Sequence, residues 1–171
     1  MLRGINVGGH KSVSMSELAN CYDSLGFGRV RTYIQSGNVV FDYDGSNIQG
    51  LVEKITKKVA DRFGFEVSVV IRTKKEMLRV IKNNPYAGLD EKSLHVTFLS
   101  AKPPGMSTRE IEEAKSADEK FSISEREVYL FCPNGYGKSK LSNSFLERKL
   151  KIHATTRNWR TVNRLYALSN E

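Results

Sequence analysis

The sequence predicts an α+β protein made of two ferredoxin-like subdomains, each with a split βαβ core. Both halves of the 171-residue chain show the element order strand-helix-strand-strand-helix-strand-helix, and the halves are nearly equal in length. The first six elements of each half match the split βαβ pattern. Near residues 86–93, Pro, Gly and charged residues replace the periodic pattern. We therefore expect subdomains at 1–88 and 89–171, an arrangement that indicates internal duplication.

Helix start signals and β-rich runs define the elements of the first half. Ser14-Met-Ser-Glu17 is a capping box, and the apolar stripe after it predicts a helix that ends at Gly26. A second helix is expected after Ser46, and Thr73-Lys-Lys-Glu76 opens a third helix that ends before Asn84-Pro85. A Ser-Gly-Asn turn between two β-rich runs is typical of a hairpin. The predicted strands are 2–6, 29–35, 39–43 and 66–72.

The second half repeats this order of elements. Ser107-Thr-Arg-Glu110 is another capping box, and an apolar stripe between Leu141 and Leu150 predicts the next helix. A last helix carries Trp159 and Val162 on its apolar side. The predicted strands are 94–100, 120–124, 127–132 and 152–155.

Composition is that of a soluble globular protein. Apolar residues make up 39% of the chain and charged residues 27%, which is sufficient for a core. No run approaches the roughly 18 apolar residues of a membrane span, and the first residues lack the apolar core of a signal peptide. Cys21 and Cys132 show neither metal spacing nor a disulfide framework, so both are expected to be buried. We therefore expect a cytoplasmic protein without membrane contact.

The net charge is concentrated near the C-terminus. Between Pro133 and Tyr166, eight basic residues stand against the single acid Glu147, so this segment carries +7 of the formal +8. Clustered Lys and Arg attract anions, and we expect a phosphate-bearing ligand. A solvated basic face is the alternative interpretation.

The segment 133–140 lies between a predicted strand and a predicted helix. Its Gly137-Lys138-Ser139 resembles part of a Walker A loop, but the first glycine of that pattern is replaced by Cys132. Nucleotide hydrolysis is therefore not expected. A glycine-rich turn before a helix still offers backbone amides to an anion. Lys138, Ser139 and Lys140 are candidate ligand-binding residues, with a plain solvated turn as the alternative.

Thr155-Thr-Arg-Asn-Trp159 lies at a predicted strand-to-helix junction. Arg157 could hold a phosphate or carboxylate in a bidentate manner, Asn158 could complete the shell, and Trp159 could stack on a base. The alternatives are that Trp159 belongs to the core and that Asn158 or Thr156 caps the last helix.

Two polar segments of the first half are further candidates. Arg3 and Asn6 alternate with apolar residues in an opening segment that contains three glycines. Gln35 and Asn38 flank the predicted hairpin turn. A purely structural role for the hairpin turn is the alternative. His10, His95 and His153 are scattered without ligand spacing. We therefore expect no metal and no cofactor, and the sequence identifies no catalytic residue.

Three separated motifs resemble an uncharacterised bacterial family known as a domain of unknown function. The family is recognised by the Arg-Gly-Ile-Asn-Val-Gly-Gly opening found here at 3–9, and the other two motifs lie at 32–41 and 156–161. The resemblance implies two α+β subdomains similar to ferredoxin folds, and it implies no reaction, cofactor or catalytic residue. Members usually have more residues before the opening motif, so either a short first strand or a truncated start is expected.

The leading hypothesis is a protein that binds a phosphate-bearing ligand, with nucleic acid or a nucleotide favoured, through the basic C-terminal subdomain. The first alternative is an enzyme that acts on a small anionic metabolite in a cleft between the subdomains. The second is an interaction module that docks an acidic protein. The sequence leaves the ligand, any reaction and the oligomeric state open.

Overall fold

Residues 1–104 and 108–171 are described by a computed structural model of the chain. They form two units: unit 1 comprises Met1–Ile71 with Leu165–Glu171, and unit 2 comprises Arg72–Arg164. This division differs from the predicted one at 1–88 and 89–171. Residues 72–88, which include the third helix, belong to unit 2, and the last seven residues belong to unit 1.

Two helices of unit 1 begin after a side chain that caps the first turn, and the first of them ends at Asp23 and not at the predicted Gly26. Helix α1 (Met15–Asp23) follows Ser14, whose hydroxyl accepts a hydrogen bond from the Glu17 amide. Helix α2 (Ile48–Phe63) ends at Gly64, which has a positive φ of 77°. Its N-cap is Asn47, one residue after the predicted Ser46, because the Asn47 side chain accepts from the Gly50 amide at 2.9 Å.

The sheet of unit 1 is smaller than the sequence predicts. Strands β1 (Gly28–Tyr33) and β2 (Asn38–Asp42) form an antiparallel hairpin. Segments 2–6 and 66–72 are not regular strands, and their pairing in the described residues is a single bridge between Leu2 and Val69. The chain turns directly after Leu2, since Gly4 and Asn6 have φ values of 68° and 55° and cannot continue a strand.

The tip of the β1–β2 hairpin packs against the first residues of the chain. The Leu2 amide donates to the Gly37 carbonyl at 2.9 Å. A Cβ atom on Gly37 would lie 2.8 Å from Ile5 Cδ1 and 2.9 Å from Leu2 Cβ. Leu2 and Ile5 are buried in the core of unit 1, so only glycine fits this contact at a φ of 70°.

Unit 2 contains the element order predicted for the second half. It begins with helix α3, whose capping box joins Thr73 and Glu76 through reciprocal hydrogen bonds. The predicted capping box at 107–110 includes Ser107, which lies outside the described residues. Its helices and strands are α3 (Lys74–Lys82), β3 (Leu94–Leu99), α4 (Arg109–Ala114), β4 (Lys120–Ser124), β5 (Glu127–Phe131), α5 (Asn143–Leu150), β6 (Ala154–Asn158) and the first part of α6 (Trp159–Leu168), whose last four residues belong to unit 1.

The four strands of unit 2 form one antiparallel sheet in the order β4-β5-β3-β6. Val96 on β3 lies opposite Arg157 on β6, and Thr97 lies opposite Thr156. A buried cluster joins sheet residues such as Leu99 and Leu130 to helix residues of α4 and α5. The four-stranded sheet of unit 2 and the two-stranded sheet of unit 1 make the protein a mixed α+β fold.

Candidate functional site

The candidate residues of unit 1 are tied into its loops. The Asn6 side chain donates to the carbonyls of Val13 and Gln35 at 2.9 and 3.0 Å and accepts from the Val13 amide at 2.8 Å. Asn38 is fully buried, and its amide donates to the Tyr33 carbonyl and to Ser36 Oγ. Asn6 therefore has a structural role in joining the opening segment to the hairpin, whereas these contacts of Asn38 stabilise the hairpin itself.

Arg3 and Gln35 are the other two candidate residues of unit 1. The Arg3 amide donates to the Ser68 carbonyl at 3.0 Å, and the residue is half-buried. Gln35 is exposed, and its carbonyl accepts the hydrogen bond from Asn6. Ligand binding by these four residues stays a prediction.

Arg157 and Trp159 are both buried in unit 2. Arg157 is only 8% exposed, and its Nη1 donates to Thr155 Oγ1 at 2.7 Å and to the Thr156 carbonyl at 2.8 Å. Burial lowers the pKa of Arg157 to about 10, so the guanidinium is still charged at neutral pH. Trp159 is 6% exposed and belongs to the buried apolar residues, which favours the alternative that it is a core residue.

Asn158 caps the last helix. The residue is exposed, and its Oδ1 accepts a hydrogen bond from the Thr161 amide at 2.8 Å. A side-chain oxygen that accepts from the third amide of the following helix is the usual N-cap contact. This contact agrees with the alternative interpretation, in which Asn158 caps the last helix.

We call residues 133–140 the basic loop. Lys138 and Lys140 are exposed, and Tyr136–Lys138 forms a single 3-10 turn. Ser139 Oγ accepts from the Leu141 amide at 3.0 Å, so this hydroxyl stabilises the turn into α5. The basic loop thus presents two lysines on an ordered turn.

Tyr136 anchors the basic loop to the sheet, and the sequence did not single it out. Its ring stacks on the His95 ring with a centroid distance of 4.8 Å and an interplanar angle of 20°. Its hydroxyl donates to Thr156 Oγ1 at 3.1 Å. The two candidate motifs of the basic segment therefore meet at the Tyr136–Thr156 contact.

The hydroxyl of Thr156 lies at the centre of a polar cluster. Thr156 donates to Asn143 Oδ1 at 3.1 Å, and Thr97 Oγ1 lies 2.8 Å away. Since a hydroxyl has one proton, Thr156 accepts from both Tyr136 and Thr97. The cluster fixes the position of the basic loop relative to β3, β6 and α5.

His95 is a neutral imidazole beside this cluster. Its Nδ1 lies 3.3 Å from the Ser93 carbonyl, so Nδ1 carries the proton in the neutral ring. Burial lowers the pKa of His95 below its ordinary value, although the hydrogen bond to Ser93 acts in the opposite direction. The uncharged ring suits stacking on Tyr136.

The chain has two thiols, and neither belongs to a candidate metal-binding cluster among the described residues. Cys21 and Cys132 are both buried and free, and burial raises the pKa of Cys132 to about 11. Within residues 1–104 and 108–171, no group of three or more His, Cys, Asp or Glu side chains could hold a metal ion. No helix in those residues is long and apolar enough to cross a membrane.

The sheets and helices define a mixed α+β protein, and the comparison with family models narrows that class. A family described as a protein of unknown function, DUF1697, matches residues 1–129. The chain therefore belongs to the DUF1697 family, which confirms the resemblance to an uncharacterised domain family. The match includes two of the three motifs that carry the resemblance.

A solved structure supports the same fold over the whole chain. The conserved bacterial protein SP0830 from Streptococcus pneumoniae is 26% identical in sequence, with a TM-score of 0.75. The match covers 99% of this chain and 96% of that one. No curated protein matches the chain.

Proposed function

We propose that the protein binds a phosphate-bearing ligand, with nucleic acid favoured over a free nucleotide, through the basic loop and the start of α6. The Tyr136–Thr156 contact is the observation that carries this proposal. It joins the loop with Lys138 and Lys140 to the strand that leads into Asn158. An anchored turn holds its lysines at lower entropic cost than a flexible tail would.

The exposed charges of unit 2 suit a long anionic partner. Arg160 is exposed in the first turn of α6, two residues after Asn158. Exposed Lys and Arg contact phosphates without reading the base, so binding to nucleic acid would be independent of sequence and sensitive to salt. Arg157 and Trp159 are buried, so they expose little area that a ligand could contact. Their role in the proposed site is to support the exposed residues from within the core.

The fold of unit 2 supports this proposal. We infer that unit 2 is a ferredoxin-like module, because its six central elements and its β4-β5-β3-β6 sheet order follow the split βαβ pattern. Modules of this kind are used for RNA recognition. The bridge between Leu2 and Val69 in unit 1 is compatible with a reduced version of the same sheet, which keeps duplication as a proposal. A cytoplasmic location likewise stays a prediction from the sequence.

Fluorescence anisotropy with labelled single-stranded and double-stranded oligonucleotides at low salt tests the proposal. We expect binding by the wild type and at least tenfold weaker binding by the double variant Lys138→Gln, Lys140→Gln. The matched control is Lys74→Gln, Lys75→Gln, which removes the same charge from exposed positions of α3. Absence of binding to every oligonucleotide, or equal losses in both double variants, would contradict the proposal.

A further inference from the structure

A pocket of about 230 Å³ lies within unit 2, away from the basic loop in sequence. One wall is α3, with Glu76, Arg79 and Asn83, and the other is the β4–β5 hairpin, with Arg126 and Tyr129. The volume is below the ~300 Å³ at which sites for drug-sized ligands begin. The pocket therefore suits a small molecule and not a nucleotide or a polymer.

A buried ion pair fixes the hairpin wall of the pocket. The Arg72 side chain is 1% exposed, and its Nε donates to Glu127 Oε1 at 2.7 Å. Its Nη2 donates to the carbonyls of Leu99 and Arg126 at 2.7 and 2.9 Å. A buried ion pair gains little net stability because desolvation offsets the attraction. We therefore interpret Arg72 as a positioning residue that holds the backbone of Arg126.

The Arg126 guanidinium has hydrogen-bonding capacity left over. Its Nη2 donates to Glu76 Oε1, and in the part of the chain that the structure describes Glu76 is its only acceptor. Glu76 is held in turn, because its Oε2 accepts from the Thr73 amide at 2.7 Å. A guanidinium has five N–H donors, so Arg126 can engage a ligand without leaving Glu76.

Arg79 and Asn83 add donors from the same side of α3. They are one turn apart on the helix and both line the pocket. Neither side chain makes a hydrogen bond to another residue within 1–104 or 108–171. Two guanidinium groups and an amide thus converge on one small space.

Arg72 does not line the pocket, but when it is counted with the charged residues that do, one positive charge is in excess. Each carboxylate of the lining has its own cation: Glu76 has Arg126, Glu127 has Arg72, and Glu125 has Lys102 at 3.3 Å. Arg79 has no acidic partner among the described residues. An excess of one charge suits a monoanion, whereas a dianionic phosphate would be repelled by the three carboxylates.

The base of the pocket is less polar. Val80 and Tyr129 are both buried, and the Tyr129 hydroxyl donates to the Val80 carbonyl at 3.2 Å. The hydroxyl is therefore already satisfied and the ring offers an apolar surface. We propose that this pocket binds a small organic monocarboxylate, whose carboxylate is held by Arg79 and Arg126 and whose apolar part lies against Tyr129.

Titration of the ¹⁵N-labelled protein with propionate, lactate, pyruvate and inorganic phosphate, followed by amide NMR, tests this site. We expect at least one carboxylate to shift the amides of residues 124–127 and of α3 saturably, with a dissociation constant near or below about 1 mM. Arg79→Gln should weaken that binding at least tenfold. Lys82→Gln, which removes an exposed charge from the same helix outside the pocket, should leave it unchanged.

Three outcomes would overturn the proposal: no saturable shift by any carboxylate, equal binding by Arg79→Gln and the wild type, or tighter binding of phosphate than of every carboxylate.

Arg126→Gln is a second variant and should also weaken binding. It is secondary because it leaves Glu76 without its cation. Arg79 is exposed, so its variant is expected to fold. The Arg79→Gln protein should bind oligonucleotides like the wild type, so that this site and the basic loop are tested separately.

Discussion

The hydroxyl of Tyr136 donates a hydrogen bond to Thr156 Oγ1 across 3.1 Å, although the two residues are 20 positions apart. This contact, with the stacking of Tyr136 on His95, joins the basic loop to strands β6 and β3 of unit 2. The loop therefore presents Lys138 and Lys140 from a fixed position, on which the proposed binding of phosphate depends.

Removal of the Tyr136 hydroxyl should weaken this anchor. Tyr136→Phe keeps the ring on His95 but loses the hydrogen bond, and we expect the free energy of unfolding to fall by about 1 kcal/mol. Urea denaturation measures the change. Tyr43→Phe, at an exposed ring of unit 1, is the control and should have little effect. Equal stability of Tyr136→Phe and wild type would show that the anchor is unimportant for folding.

Alanine substitutions at Gly37 and Gly4 distinguish steric overlap of the added methyl group from backbone strain at a positive φ. Both have positive φ values, 70° and 68°, but a Cβ atom meets Ile5 at 2.8 Å only at Gly37. Gly4→Ala should destabilise by about 1–2 kcal/mol through its backbone conformation alone. Gly37→Ala should lose about 1–3 kcal/mol more through overpacking. Equal losses for the two variants in thermal or urea unfolding would contradict the close packing described for the hairpin tip.

Acid should destabilise the protein in part through Glu76. Burial by itself would raise the pKa of Glu76, but the hydrogen bonds from Thr73 and the charge of Arg126 outweigh it, and the pKa lies below its ordinary value. A carboxyl whose pKa is lower in the folded state stabilises above the unfolded pKa of about 4.3, and this stability is lost as pH falls.

The corresponding variant is Glu76→Gln, which cannot titrate. Its free energy of unfolding should decline less steeply than that of the wild type between pH 6 and pH 3. The measurement is the urea midpoint as a function of pH, with Glu53→Gln on α2 as a control of equal charge change. Parallel pH profiles for wild type and Glu76→Gln would refute the role assigned to this carboxylate.

The elements of unit 2 were predictable because their signals are local. The Thr73–Glu76 capping box and the alternating strands 120–124 and 127–131 depend on residues a few positions apart. The first segment was not predictable in the same way. Leu2, Arg3 and Ile5 fit a strand, but Gly4 and Asn6 have positive φ values. Glycine and asparagine can adopt a positive φ but often do not, so residue type alone does not predict this conformation.

The arrangement of the candidate residues in unit 2 was predictable only in part for a related reason. The sequence predicted strand 152–155 with a polar junction after it, whereas β6 extends from Ala154 to Asn158. Side chains alternate between the two faces of a strand, so Thr156 joins the polar cluster while Arg157 is buried opposite Val96. The contact of Tyr136 with Thr156 depends on the register of the whole sheet, which short-range patterns do not contain.

The most direct test of the proposed function is the salt dependence of oligonucleotide affinity. If Lys138 and Lys140 each neutralise one phosphate, a plot of log affinity against log salt concentration should be less steep by about 2 in the Lys138→Gln, Lys140→Gln variant than in the wild type. The Lys74→Gln, Lys75→Gln control should keep the wild-type slope. Identical slopes for all three proteins would contradict a phosphate-binding role for the basic loop.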